Sequence, residues 1–253
     1  MNVIILGSGT STGVPMVGCH CRVCSSGDPL DKRTRASLLV EHAGRHILVD
    51  TSTDLRKQAI REGIPRVDAV LFTHPHADHI HGIDDLRGFH FLHQEVVPCF
   101  GDPETMAAIA RKFAYIFEGH TGAGYAPLLA PQAVDGPFSL FGLEIVPIPL
   151  RHGQMRATGY RFGNIAYLTD CSRIPESSMG LLSGLEVLII DALRYTPHPH
   201  HFNIPAALEV AGILRPGSTI LTHLTHEVLH ADESKLPPGV RFAYDGLRIS
   251  SPI

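Results

Sequence analysis

Thr73-His74-Pro75-His76-Ala77-Asp78-His79 is the stretch on which the reading of this chain turns. It follows the apolar run at 69–73, so it reads as the loop that leaves a buried strand. Three imidazoles and one carboxylate offer nitrogen and oxygen donors suited to Zn²⁺, Mn²⁺ or Fe. In an extended loop His74 and His76 point the same way, while Asp78 and His79 sit at a bend and can face a second point nearby. One short loop can therefore supply half the ligands of a two-metal site. The plain alternative, a solvated loop that happens to be histidine-rich, accounts for neither the density nor the order of the donors.

Outward from this loop, two metals need about three more ligands, and three strand ends offer them. His152 follows the strand at 143–149, Asp170 ends the strand at 165–169, and His223 ends the strand at 219–222. Each alone reads as an ordinary loop residue. Together they occupy the position where α/β folds collect their sites. A second cluster lies near the start, where Cys19, Cys21 and Cys24 can cover three corners of a tetrahedron. A redox pair or a merely buried thiol are the competing readings, and the motif context favours zinc. Cys99 and Cys171 read as small core or loop residues.

The remaining elements follow from pattern. Residues 3–6 form a buried strand entering a Gly/Ser/Thr/Pro/Cys-rich loop at 7–30. Residues 36–41 and 46–50 suggest a hairpin. Helices are expected at 55–62, stopped by Gly63 and Pro65, at 104–117 after Pro103, and at 205–214. Further strands are expected at 159–162 and at 185–190, which ends at Asp191. Residues 241–244 and 247–250 read as a hairpin through Asp245-Gly246. The pattern gives layered α/β with mixed sheets, one domain spanning 1–253, and no linker or repeat.

Composition narrows the class. Of 253 residues, 44% are hydrophobic and 18% charged, as in an ordinary globular protein. The formal charge of −4 opposes a polyanionic partner, so nucleic acid is not expected. No cationic leader or cleavage site precedes residues 3–7, and no apolar run approaches the roughly 18 residues of a membrane span. A cytoplasmic protein without membrane contact is the expectation. The 17 histidines, against 21 Lys plus Arg, point to metal chemistry. His42, His46, His90, His93, His120, His198 and His230 are read as surface or loop residues.

With Asp50 upstream and His152, Asp170 and His223 downstream, the 74–79 run resembles the metallo-β-lactamase superfamily over essentially the whole chain. Gly7-Ser8-Gly9-Thr10-Ser11-Thr12-Gly13-Val14-Pro15, Cys19-x-Cys21-x-x-Cys24 and Leu221-Thr222-His223-Leu224-Thr225-His226 are similar to the cyclic-phosphate phosphodiesterases of the carbon–phosphorus lyase pathway. The resemblance implies a four-layer αββα sandwich with metals at one edge. It assigns His74, His76 and His152 to one ion and Asp78, His79 and His223 to the other, with Asp170 between them. Asp50 would orient a ligand histidine. His226 would complete a structural zinc site with the three cysteines, and two Mn²⁺ or Zn²⁺ would be catalytic. His201, within 200–203, aligns with a family histidine that serves the phosphate or the leaving group, although His198 and His200 lie close enough to confuse that choice. A small phosphodiester is the implied substrate, such as 5-phosphoribosyl 1,2-cyclic phosphate or a cyclic nucleotide, and a homodimer follows by analogy.

Other readings share the fold. A tRNA 3′-processing endonuclease carries an inserted basic arm that is not found here, and a relative of pyrroloquinoline quinone biosynthesis departs in its metal ligands. Thioester or β-lactam hydrolysis is a further class, because fold does not set substrate. A zinc-stabilised binding protein with a degenerate site is the non-enzymatic alternative, and the full ligand set argues against it.

Overall fold

The computed structural model describes residues 1–117 and 129–251. His120 lies outside the described residues. Two seven-stranded sheets form among the described residues. The first contains β1 (Asn2–Gly7), β2 (Ser37–His42), β3 (Arg45–Val49), β4 (Ala69–Leu71), β5 (Val97–Gly101), β6 (Leu129–Ala133) and β14 (Leu247–Ser250), in the order β14-β1-β2-β3-β4-β5-β6. The second contains β7 (Phe138–Leu140), β8 (Leu143–His152), β9 (Met155–Phe162), β10 (Ile165–Leu168), β11 (Val187–Asp191), β12 (Ser218–Thr222) and β13 (Val240–Phe242), in the order β13-β12-β11-β10-β9-β8-β7. Each sheet is antiparallel along one half and parallel along the other. β1, β2, β3 and β14 pair antiparallel, whereas β3 to β6 run parallel. In the same way β7 to β10 are antiparallel and β10 to β13 parallel.

The continuous apolar runs reflect burial on both faces. Side chains alternate along a strand, so Val3 and Ile5 of β1 pack between the sheets against Ile145, Tyr160 and Phe162. Ile4 and Leu6 face the outer layer, in one apolar cluster with Leu55 of α1 (Leu55–Glu62) and, further along the sheet, Ile109 of α4 (Pro103–Lys112). On the far side, Leu188 and Ile190 of β11 pack against Ile204 and Ala207 of α7 (Ile204–Leu214). The result is the α/β sandwich with mixed sheets expected from the sequence. Local chemistry sets the helix ends. Asp102 accepts from the backbone N–H of Glu104 and Thr105 at 3.0 and 3.2 Å, and Asn203 caps α7 through the Ala206 N–H at 2.9 Å.

Two expectations need correction, and one element was missed. The segment at 104–117 breaks at Phe113 into α4 and the short α5 (Ala114–Phe117). Between β4 and β5 lie α2 (Ala77–Ile80) and α3 (Arg87–His93), and the sequence reading did not anticipate α3. The expected C-terminal hairpin does not form. β13 pairs with β12 and β14 with β1, in different sheets. Asp245 is the reason: its carboxylate accepts from Ser8 N and Oγ, Thr34 N and Oγ1, and Arg61 Nη1, all within 3.0 Å. A residue that looks like turn chemistry instead ties the crossing segment to the 8–10 loop. Among the described residues, no helix is long and apolar enough to cross a membrane.

Candidate metal centre

Parallel strands aim their C-terminal ends at one edge of the sandwich, and the loop donors gather there. His74 and His76 leave β4, with His74 Nε2 3.0 Å from His76 Nδ1. α2 is a single turn that turns Asp78 and His79 toward the same point. From the second sheet come His152 at the end of β8, Asp170 after β10, and His223 after β12. His152 Nε2 lies 3.3 Å from His76 Nδ1, and Asp170 Oδ2 lies 3.6 Å from His74 Nε2. Asp170 Oδ1 faces the other way, 3.4 Å from His79 Nε2 and 3.2 Å from His223 Nε2. Asp78 Oδ2 is 3.3 Å from His79 Nε2. The donors thus form two groups, His74/His76/His152/Asp170 and Asp78/His79/Asp170/His223, each with its atoms within 4.8 Å of one another.

Tautomers are set from behind. Asp50 Oδ2 accepts from His79 Nδ1 at 2.7 Å and from Thr73 Oγ1 at 2.7 Å. Thr73 Oγ1 in turn accepts from His74 Nδ1 at 2.9 Å. His152 Nδ1 donates to the His200 carbonyl at 2.7 Å. In each ring the second nitrogen is left with its lone pair toward the cluster, the arrangement a metal ligand needs. Asp50 (φ 63°) and His223 (φ 61°) hold left-handed backbone, which costs of order 1–3 kcal/mol in residues other than glycine and concentrates at functional positions.

The cluster fits cations on its own terms. Asp78 Oδ2, His79 Nε2 and His223 Nε2 are buried without a hydrogen-bond partner, a cost of about 1–3 kcal/mol each that a bound cation removes. Burial lowers the pKa of His74, His76 and His152, the last to about 4, so these rings stay neutral and basic toward a metal. Burial opposes ionisation of Asp170, but His223 and His79 outweigh it and keep it well below the usual carboxylate range.

His201 is the ring of the 198–201 loop that reaches the cluster. It stacks on His223 at 4.8 Å between centroids, and its Nδ1 meets Asp191 Oδ2 at 2.7 Å. His200 contributes its backbone carbonyl, and the His198 ring lies 5.2 Å from His201, nearer the site than its reading as a plain surface residue implied. Asp191 was read only as a strand end. Its signal was present, since it terminates an apolar strand as Asp170 does.

Cys19, Cys21, Cys24 and His226 form a third group within 4.8 Å, with Cys19 and Cys21 Sγ 3.4 and 3.3 Å from His226 Nδ1. The Cys24 backbone N–H and His226 lower the Cys21 thiol to about 6, which favours the thiolate that metals bind. Cys99 and Cys171 are fully buried core residues, as expected. The loop at 7–15 threads between two segments. Gly9 bridges both Arg35 and Leu224, and a Cβ on Gly7 would stand 1.9 Å from the Arg35 carbonyl. Only glycine admits that approach.

A sandwich with a histidine- and aspartate-rich edge defines a family, and the comparison agrees: the β-lactamase superfamily domain matches residues 45–224. The chain belongs to that superfamily, in its metallo-β-lactamase-like branch. The solved structure of a diphosphatase from the PhnP family superposes with a TM-score of 0.93 at 40% identity, covering 100% of this chain and 98% of that one. Octanoyltransferase of Porphyromonas gingivalis is 42% identical over 253 residues, 98% of this chain but 51% of that protein. Ribonuclease Z of Bradyrhizobium diazoefficiens is 33% identical over 145 residues, 54% of this chain and 47% of that protein. The chain spans about half the length of each of these two relatives.

Proposed function

We propose that residues 1–253 form one hydrolase domain, a phosphodiesterase that uses two Mn²⁺ or Zn²⁺ ions to open small cyclic phosphate esters such as 5-phosphoribosyl 1,2-cyclic phosphate or cyclic nucleotides. The observation that carries this reading is the pair of donor groups sharing Asp170 at the sheet edge. Likeness to the PhnP-family diphosphatase supports phosphorus–oxygen cleavage as the chemistry.

His74, His76 and His152 would hold one ion, Asp78, His79 and His223 the other, and Asp170 would serve both. When bound, two such cations supply Lewis acidity at the phosphoryl group and bring the ionisation of water toward neutral pH. The residues do the rest. Asp50 holds the His79 ring directly and the His74 ring through Thr73, and the His200 carbonyl holds His152. Asp191 orients His201 so that its free Nε2 can give a proton to the leaving alkoxide. Cys19, Cys21, Cys24 and His226 would bind a separate structural Zn²⁺.

Metal analysis should find about three ions per chain, two of them exchangeable. A panel of bis-p-nitrophenyl phosphate, 2′,3′-cyclic nucleotides, tRNA precursor and a thioester then sorts the activities. Turnover of the small phosphodiesters with added Mn²⁺ or Zn²⁺ is expected. A metal-loaded protein that hydrolyses no phosphate ester overturns the reading, and preference for tRNA precursor would move it to the endonuclease class. His201→Ala should lower turnover with metal content intact.

A further inference from the structure

Cys21-Arg22-Val23-Cys24 lies in a tight turn, where the Ser25 N–H donates to the Cys21 carbonyl at 2.9 Å and the Ser26 N–H to the Val23 carbonyl at 3.1 Å. Such a turn sets the two ends of a Cys-x-x-Cys pair side by side, the spacing of dithiols that cycle to disulfides. The thiols differ in their surroundings. Cys21 is half-buried, whereas Cys24 is 6% exposed and packs with Val14 and Val23. The Cys24 N–H donates to Cys21 Sγ at 3.4 Å, a contact that favours a thiolate there. An accessible sulfur beside a buried one suits oxidation of the first and its resolution by the second.

The cluster also lies a short path from the metal centre. Cys19 and Cys21 reach His226, three positions beyond His223. Leu224, next to His223, is held by the loop that leads into the cysteines: its N–H donates to the Ser8 carbonyl at 2.9 Å, and its carbonyl accepts from the Thr10 N–H at 3.2 Å. Whatever loosens the thiols from His226 therefore loosens the segment that presents His223.

We propose that Cys21 and Cys24 are a redox modification site: hydrogen peroxide joins them in a disulfide, the structural Zn²⁺ is released, and the tie between the cysteine loop and the His223 segment is lost. The release step rests on the structural-zinc reading, and the disulfide on the dithiol geometry alone. Cys21 sulfur takes one peroxide oxygen, giving a sulfenic acid and hydroxide. Cys24 sulfur then attacks Cys21 sulfur, the S–S bond forms and a second hydroxide leaves. Two thiolates give up two electrons, hydrogen peroxide accepts them, and both hydroxides are protonated to water. Cys19 and His226 then remain as the only donors, too few for a tetrahedral zinc site.

The test treats metal-loaded wild type with hydrogen peroxide, and a second sample with peroxide followed by dithiothreitol and Zn²⁺. Oxidised protein should release about one ion per chain to a colorimetric chelator, lose about 2 Da and fall in Tm by roughly 5 °C or more. Peptide mapping should find the cross-link between Cys21 and Cys24, with the buried Cys99 and Cys171 still reduced. Turnover of bis-p-nitrophenyl phosphate with Mn²⁺ in excess should drop about 10-fold, and reduction with Zn²⁺ should restore ion, Tm and turnover. A Cys21–Cys24 disulfide in protein that carried no ion at the thiols supports the modification site and sinks the structural-zinc reading alone. Thiols that stay reduced with their ion in place, or a cross-link between any other pair, overturn the proposal. Ion release that leaves Tm and turnover unchanged overturns the coupling to His223.

Discussion

Asp191 is wholly buried, and its two oxygens face different neighbours. Oδ2 accepts from His201 Nδ1 and from the Cys171 N–H at 2.9 Å, while Oδ1 lies 3.8 Å from His223 Nδ1. Burial works against a charge on His201, but the charge and hydrogen bond of Asp191, aided by Asp170, outweigh it and raise the pKa to about 9. His201 is therefore protonated at neutral pH, and that proton is lost as pH rises through the raised value. Replacing Asp191 by Asn removes the anion that holds the proton. The alkaline limb of the kcat profile should move to lower pH, with kcat down about 10- to 100-fold near pH 8. A profile whose limb stays in place would show that Asp191 does not govern this proton. At this scale the six-residue run at 74–79 was legible because its four donors lie within one short stretch. Asp191 showed only its place at a strand end, because its role comes from a ring ten positions away.

At the scale of elements, the segment at 31–35 links the cysteine loop to the second sheet. The buried Arg33 guanidinium donates to the Thr225 and Val228 carbonyls at 3.3 and 2.8 Å, on either side of His226, and meets Asp31 at 3.4 Å. Arg33→Met takes from the buried Asp31 carboxylate, which keeps the His230 N–H at 2.7 Å, its only cation among the described residues, and removes the guanidinium donor of the Val228 carbonyl. A loss of about 3–5 kcal/mol in denaturant unfolding is expected; a loss below about 1 kcal/mol would show that water replaces the guanidinium. Asp68 plays a similar part where β4 begins. It accepts from Arg45, Arg66 and the His46 N–H at 2.8, 2.6 and 2.8 Å. Burial pushes its pKa up, but these donors prevail and hold it below the usual range. A folded pKa below the unfolded one means stability that is present above about pH 4 and lost as pH falls through the folded value. Asp68→Asn should therefore cost about 1–3 kcal/mol at pH 7. Its deficit should close below about pH 4, and a deficit that persists there rules out the charge as the cause. Element boundaries near 87–93 and 241–250 escaped sequence reading. A short exposed helix has weak periodicity, and Asp245-Gly246 carries hairpin chemistry whatever strand comes next.

Across the whole molecule, neither of the two groups assigned to the catalytic ions lies within one sheet, although Asp170, Asp191, His201 and His223 gather on the second alone. The first supplies His74, His76, Asp78, His79 and Asp50, and the second supplies His152, Asp170, Asp191, His201 and His223. The cysteine cluster joins the same halves, because its three thiols sit before β2 and His226 after β12. Its own packing is small, with Val14, Val23 and Cys24 as the buried members, so a bound ion should contribute much of its order. Cys24→Ser is expected to release one ion per chain, keep the two exchangeable ones, and lower Tm by roughly 5 °C or more. Unchanged stoichiometry and Tm would refute a structural ion at these thiols.

What the amino-acid order determined alone was the donor chemistry and the layering: closely spaced histidines, apolar runs too continuous for one exposed face, and cysteines at metal-ligand spacing. These are local properties, readable wherever neighbours in sequence are neighbours in space. Tertiary structure decided which distant strand ends meet, which of three adjacent histidines reaches the cluster, and where the last strand pairs. Each of those depends on long-range packing and on buried polar groups such as Asp245 finding their partners, and no local pattern encodes such closure.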